Sequence, residues 1–271
     1  MRNYFFILFA AGAIQSVVFG GRQTIPLSIE GINLASTLNY LEISFAFAVG
    51  QLVSGAITPL GGAISDKYGS GKTLFLGIII SALGCFLIPF STTPLMLVIS
   101  IGILSAGGSG IAGLPVIMSA VNKLVPPERS GMAFGLVNAG GSIGQFLFAP
   151  LAGLMIINYG WQASIFASCA LLIMVLPLCW LIRYQPQKKQ KFVSGDNLSF
   201  SKTLFLAFNT PSYILLISGF FVCGFHVAFI ITHMPGVIIA CGLNVNVTGW
   251  SFAIIGFFNI LGSLFAGWYI S

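Results

Sequence analysis

Eight uncharged, apolar runs are spaced along this 271-residue chain, and they constrain its fold more than any single motif does. They lie near residues 4–19, 40–60, 73–90, 94–118, 132–157, 163–182, 212–231 and 249–270. A helix needs about 20 apolar residues to cross the hydrocarbon core of a bilayer, whereas a barrel strand needs about 10 that alternate apolar with polar. Runs such as 74–90 do not alternate, so they read as helices. The first run has room to continue past Arg22. Composition fixes the solvent these helices meet: charged residues make up 6% of the chain, against roughly a quarter in a soluble domain. Five acids and eleven bases cannot wet the outside of a body this large. Lipid is the expected solvent, and the expected fold class is an all-α membrane protein. The first run lacks a small-x-small cleavage site before the next polar stretch, and seven more runs follow. It reads as a retained first helix rather than a secretory signal.

The bases are not scattered. Arg2 precedes the first run, Lys67 and Lys72 separate the second from the third, and Lys123 and Arg129 separate the fourth from the fifth. Arg183, Lys188, Lys189, Lys191 and Lys202 follow the sixth. Cytoplasmic loops are enriched in Lys and Arg, so all of these fall on one side if the amino terminus is cytoplasmic. Only Arg22 breaks the pattern. The net charge of +6 is thereby explained by topology, and no nucleic-acid partner is implied. The stretch 184–211 is the one long polar segment; its linker composition divides six spans (1–183) from two (212–271). Cys85, Cys169, Cys179, Cys223 and Cys241 show no metal-ligand spacing and read as apolar thiols in or beside spans.

Between the second and third runs stands Gly62-Ala63-Ile64-Ser65-Asp66-Lys67-Tyr68-Gly69-Ser70-Gly71-Lys72. Gly62 and Gly69 suit a tight turn and close helix approach, and Asp66 is placed to cap the start of the third span. Gly71-Lys72-Thr73 mimics the end of a phosphate-binding loop, but Asp66 occupies the position of the required glycine, so no nucleotide is implied. The loop resembles the signature of the major facilitator superfamily, departing from it where Ser70 and Gly71 stand in place of a base. Pro126-Pro127-Glu128-Arg129, then Gly131 to Gly135, resembles the entry to that family's fifth span. Gly140 and Gly144, four apart in the small-residue run 139–145, allow two helix backbones to approach closely. Gly61 to Ser65 at the end of the second run is echoed by Gly267 to Ser271 at the end of the eighth. The resemblance implies a major facilitator fold: a first six-helix half plus two helices of the second, with spans nine to twelve absent, as in a truncated or fragmentary chain.

Within the superfamily, two stretches resemble the monocarboxylate and oxalate–formate porters of bacteria: Phe19-Gly20-Gly21-Arg22-Gln23-Thr24-Ile25-Pro26, and the segment from Phe220 through His226 to His233 and Pro235. A base inside a span costs about 2.5–3.5 kcal/mol at the bilayer centre, so it faces a cavity or a partner. Arg22 is therefore a candidate to hold a substrate carboxylate. The alternative is that it lies just outside the membrane, capping the first span or pairing with Glu30 or Glu42. Glu42 reads as a solvated acid at a helix start. His226 and His233 are seven apart and share a helix face; His226 is a substrate-lining candidate and His233 a proton-coupling candidate, unless each is a neutral residue bonded inside the bundle. Gln145 and Asn259 are polar residues in apolar helices that either line the cavity or join helices.

The function implied is secondary transport of a small organic anion, monocarboxylate-like, by alternating access, with proton coupling an option. Arg22, Gln145, His226 and Asn259 form the substrate set; Gly62, Asp66, Gly69 and Arg129 govern the gate. No cofactor, metal or enzymatic chemistry is implied. The partners are the small-molecule substrate and the lipid bilayer, the chain is monomeric, and its place is a bacterial inner membrane. Two alternatives stay open: an exporter of uncharged or cationic compounds, and an inactive fragment of a transporter.

Overall fold

A computed structural model describes residues 4–36, 38–126, 129–183, 206 and 208–270. Eight helices among them are long and apolar enough to cross a membrane: α1 Tyr4–Ala35, α2 Tyr40–Tyr68, α3 Ser70–Phe90, α4 Pro94–Leu124, α5 Ser130–Tyr159, α6 Trp161–Trp180, α7 Pro211–Ala240 and α8 Val245–Tyr269. Most of the polar stretch 184–211 lies outside the described residues, as do Arg2, Glu128 and the lysines 188, 189, 191 and 202.

Local chemistry places the breaks between helices. Asn39 and Glu42 form a reciprocal capping box at the start of α2: the Glu42 N–H donates to Asn39 Oδ1 and the Asn39 N–H to Glu42 Oε2, each at 2.9 Å. Glu42 is thus a helix-start acid, as its sequence position implies. Helices α2 and α3 are joined by one residue, Gly69, with φ of 95°; α5 and α6 are joined in the same way by Gly160, with φ of 86°. A side chain at either site would be strained, and each glycine reverses the chain in the least possible length.

The helices extend one expectation and correct two. First, α1 runs on past Phe19 and Arg22, as the first run left room to do. It continues through a π turn at Ser16–Gly20 and a 3-10 turn at Ile25–Ser28 to Ala35. Second, Asp66 does not cap α3, whose N-cap is Gly69 without a side-chain cap. Helix α2 runs on to Tyr68, which leaves Asp66 on its last turn, where the carboxylate receives Lys123 Nζ of α4 at 2.9 Å. Third, Gly62 faces open space; its neighbour Gly61 makes the close approach, where a Cβ would meet the Ile111 backbone at 3.1 Å.

Apolar side chains gain little by leaving lipid for one another, so helices in a bilayer associate through close van der Waals contact between small residues. The sequence supplies such residues at each main crossing. A Cβ on Gly140 would lie 2.5 Å from the carbonyl oxygen of Gly12, and one on Gly144 would lie 2.1 Å from that of Ser16. These contacts lock α1 to α5. Helices α3 and α4 meet in the same way through Gly77, Gly84 and Gly108, and α5 and α8 through Gly135, Gly256 and Gly267. One continuous apolar core joins α1 to α6, and a second, smaller one joins Leu27 of α1, Ala149 and Ala152 of α5, Ile231 of α7 and Phe252 of α8.

Polar contacts gather the even-to-odd turns at one end of the bundle. Besides the Asp66–Lys123 pair, Ser70 Oγ donates to the Ile182 carbonyl at 3.0 Å. Arg129 donates to Tyr4 Oη at 2.5 Å, with its guanidinium 5.1 Å from the centre of that ring. The start of α1, both flanks of the α2–α3 turn, the end of α4, the start of α5 and the end of α6 therefore share one face of the protein. Lys67, Lys72, Lys123, Arg129 and Arg183 belong to it.

Candidate functional site

Arg22 stands 18 residues after Tyr4 and 13 before Ala35 in α1, roughly 20 Å or more from either end at 1.5 Å per residue. It lies inside α1, immediately before the turn at residues 23–24. Neither Glu30 nor Glu42 pairs with it. Its contacts are neutral and come from α2, where Nη2 donates to Gln51 Oε1 at 2.8 Å and Nη1 to Ser54 Oγ at 3.1 Å. A guanidinium carries five N–H donors in a planar fork. Two fixed neutral acceptors orient that fork without cancelling its charge, and donors remain for an anion.

The guanidinium lines a cavity of about 140 Å³ bounded by α1, α2, α4 and α7, with Phe19, Phe47, Ser105 and Thr232 in its wall. A larger chamber of about 490 Å³ lies between α1, α5, α7 and α8. Gln145, His226 and Asn259, three of the residues singled out in the sequence, all line this chamber. Phe19, Val227 and Ile231 are common to both walls, so the two cavities adjoin across an apolar waist. His233 is not part of either. It lines a third cavity of about 420 Å³ with Tyr40 and Ser44, and its ring packs on Phe229 at 5.0 Å. Seven residues keep two side chains on one face but separate them by about 10 Å along the axis, which is why the two histidines fall in different cavities.

Helix packing positions these groups. Glycines on one side of α1 and α5 bring their backbones into contact, which turns Gln15, Phe19 and Arg22 of α1 toward the cavities. Gly141 matters here: a Cβ there would lie 3.3 Å from the Gln15 side chain and 3.4 Å from Phe19. At the far side, Asn138 Nδ2 donates to Ser263 Oγ at 2.8 Å and ties α5 to α8 within the chamber wall. Thr24 and Ser168 share a hydrogen bond at 2.8 Å that fixes α1 against α6 just past Arg22. Cys223 and Cys241 are exposed rather than buried, and Cys223 belongs to the chamber wall; Cys85, Cys169 and Cys179 are buried.

Four residues of the site escape a reading of the sequence: Gln15, Gln51, Ser54 and Asn138. Gln51 and Ser54 are three apart on α2, a spacing that puts both on one face. With Arg22 known to lie inside a span, that pair was the available signal. Gln15 and Asn138 carried the same mark as Gln145 and Asn259, an amide within an apolar run.

The chain matches the Major Facilitator Superfamily over residues 5–271. It is 24% identical over 258 residues to monocarboxylate transporter 13 of Rattus norvegicus, covering 94% of this chain and 58% of that one. It is 26% identical over 186 residues to the hexuronate transporter of Bacillus subtilis (strain 168), covering 68% of this chain and 41% of the relative. Among solved structures, the D-xylose–proton symporter superposes with a TM-score of 0.65 at 16% identity, covering 96% of this chain and 67% of that one. The chain thus spans about half the length of the curated relatives it matches. Eight membrane-length helices, their glycine-mediated crossings and a match over nearly every residue agree: the chain belongs to the Major Facilitator Superfamily of membrane transporters.

Proposed function

We propose that this chain supplies the substrate-binding part of a secondary transporter that moves a small organic anion, a monocarboxylate in the broad sense, by alternating access. One observation carries the reading: Arg22 sits at mid-span, faces a cavity, and has neutral rather than acidic partners. A base held at that depth needs a reason to be there, and a carboxylate is the group a guanidinium fork fits best. The names of two relatives, monocarboxylate and hexuronate transporters, both denote carboxylates.

In this reading residues 1–183 form one six-helix half, 184–211 a cytoplasmic linker, and 212–271 the opening pair of the second half. The basic end of the bundle faces the cytoplasm of a bacterial cell, by the bias of Lys and Arg toward that side. Gln145, His226 and Asn259 contact the substrate beyond Arg22, and His233 accepts the coupling proton near the opposite end. Gly62, Asp66, Gly69 and Arg129 govern the cytoplasmic gate: the Asp66–Lys123 pair joins α2 to α4, and the Arg129–Tyr4 contact joins α5 to α1. The unit is monomeric.

The test is uptake of labelled lactate, pyruvate, oxalate and formate into proteoliposomes. Arg22→Ala is expected to reduce uptake of the transported acid at least tenfold, the loss of a charge-assisted hydrogen bond or more. Unchanged anion uptake in that variant sinks the assignment. The two neutral hydrogen bonds to Arg22 favour a second reading, in which the arginine only joins α1 to α2 and the substrate is uncharged or cationic. Uptake of such a substrate that survives Arg22→Ala would select it.

A further inference from the structure

The chamber beside the Arg22 cavity holds more hydrogen-bonding capacity than a carboxylate of two or three carbons can use. Gln15 is 6% exposed, lines this chamber, and its Oε1 is buried without a partner. Leaving a buried amide oxygen unpaired costs free energy comparable to a lost hydrogen bond. Such an atom marks a place where a donor from outside the protein fits. Gln145 is 2% exposed, and neither it, His226 nor Asn259 has a hydrogen-bond partner among the described residues. Of the amides around the chamber, Asn138 is the one committed internally, to Ser263.

The donors and acceptors are arranged for a particular kind of body. Amides and an imidazole each both give and receive hydrogen bonds, which matches hydroxyl groups rather than a second charge. No Asp, Glu, Lys or Arg lines the 490 Å³ chamber, a volume in the range of sites for small molecules. Between it and Arg22 stands the apolar waist of Phe19, Val227 and Ile231. An aromatic face of that kind suits the C–H face of a saturated ring.

We infer that the substrate is a carboxylate whose carbon body carries several hydroxyl groups, a sugar acid, bound across two subsites. Arg22 takes the carboxylate, Phe19 packs on the ring, and Gln15, Gln145, His226 and Asn259 bond the hydroxyls. Gln15 Oε1 accepts from a hydroxyl, and the side-chain amides of Gln145 and Asn259 donate. This assignment rests on the anion reading of Arg22 and adds selectivity to it.

The experiment measures equilibrium binding of labelled D-glucuronate to the purified chain in lipid nanodiscs, with lactate and D-glucose as competitors. Glucuronate has both features, lactate has the carboxylate with one hydroxyl, and glucose has the hydroxyls alone. Glucuronate is expected to bind at least tenfold more tightly than either competitor, the worth of one to two extra hydrogen bonds. Gln15→Leu and Asn259→Leu should each reduce the preference for glucuronate over lactate about tenfold. Gln15→Leu removes an unpaired buried polar atom at similar volume, so it retains the fold, which size-exclusion elution checks. Equal binding of lactate and glucuronate, both weakened by Arg22→Ala, overturns the second subsite and leaves the anion reading standing. A glucuronate preference that survives both leucine variants overturns the assigned residues in the same way. Glucuronate binding indifferent to Arg22→Ala, or glucose binding as tight as glucuronate, overturns the anion reading itself.

Discussion

Helices α7 and α8 follow one another in the chain, are similarly apolar and are rich in glycine and phenylalanine, yet they sit in the fold in opposite ways. On α8, Gly249, Gly256 and Gly267 each press against the backbone of α5, so that a Cβ at any of them would lie 2.8–2.9 Å from a main-chain atom. On α7, Gly219, Gly224 and Gly236 face open space. Phe252 of α8 is 0% exposed, whereas Phe225 of α7 is 66% exposed. The same residue types therefore serve two purposes. On α8 they make a dry seam that carries the helix along α5. On α7 they leave a smooth flank, and the few buried residues, Ile231, Thr232 and Pro235, lie in its C-terminal half beside the cavities. Composition cannot distinguish a seam from a cavity wall; the partner across the gap does.

The contrast can be broken most directly at the two phenylalanines. Phe252→Ala should cost about 3 kcal/mol by leaving a cavity in the small core, while Phe225→Ala should stay within about 0.5 kcal/mol. Unfolding in mixed micelles, followed by circular dichroism, reads both; equal losses would mean that α8 is not seated as described. Next in size is a pair of glycines. Gly256→Leu must push α8 off Ser142 and Phe146 of α5, an overpacking cost of about 2 kcal/mol. Gly219→Ala meets nothing and replaces a poor helix former, so it should raise stability by up to about 1 kcal/mol. A drop in melting temperature for Gly219→Ala as large as that for Gly256→Leu removes the distinction between the two helices. The smallest effect belongs to the polar link in the seam. Asn138→Leu deletes the bond to Ser263 and should cost about 0.6 kcal/mol, measurable in a double-mutant cycle with Ser263→Ala; a coupling near zero would leave small-residue contact as the whole of the seam.

Much of this was legible in the chain. Helix class, the number of spans and their alternation follow from run length and charge, because lipid forbids unsatisfied backbone and so leaves few architectures. Gly140 and Gly144 announced a close crossing through their spacing of four, and both meet α1. Gly69 announced a turn, and it has the positive φ that a turn of one residue requires. The misreadings share one cause. Arg22 interrupts an apolar run, so the end of the first span stayed open, and hydropathy along a chain does not know that Gln51 and Ser54 wait on the next helix to receive the guanidinium. Asp66 looked like a cap for the helix after it, since the ion pair with Lys123 joins residues 57 positions apart. Gly61 and Gly62 are equivalent as letters, and only the position of α4 makes the first of them the contact.

The amides show the same division. Gln15, Asn138, Gln145 and Asn259 are each an expensive group in an apolar helix, which marks them as inward-facing whatever the fold. Their assembly around one chamber, with Arg22 next door and His233 in another cavity, depends on how α1, α5, α7 and α8 are rotated about their axes. Those rotations are set by glycine contacts between helices distant in sequence. The sequence by itself determined that the described residues form eight membrane-length helices with Lys67, Lys72, Lys123, Arg129 and Arg183 at one end, since both follow from the solvent each segment tolerates. Which polar side chains share a cavity was decided by tertiary structure alone, because in lipid the orientation of a helix comes from where its neighbours can approach.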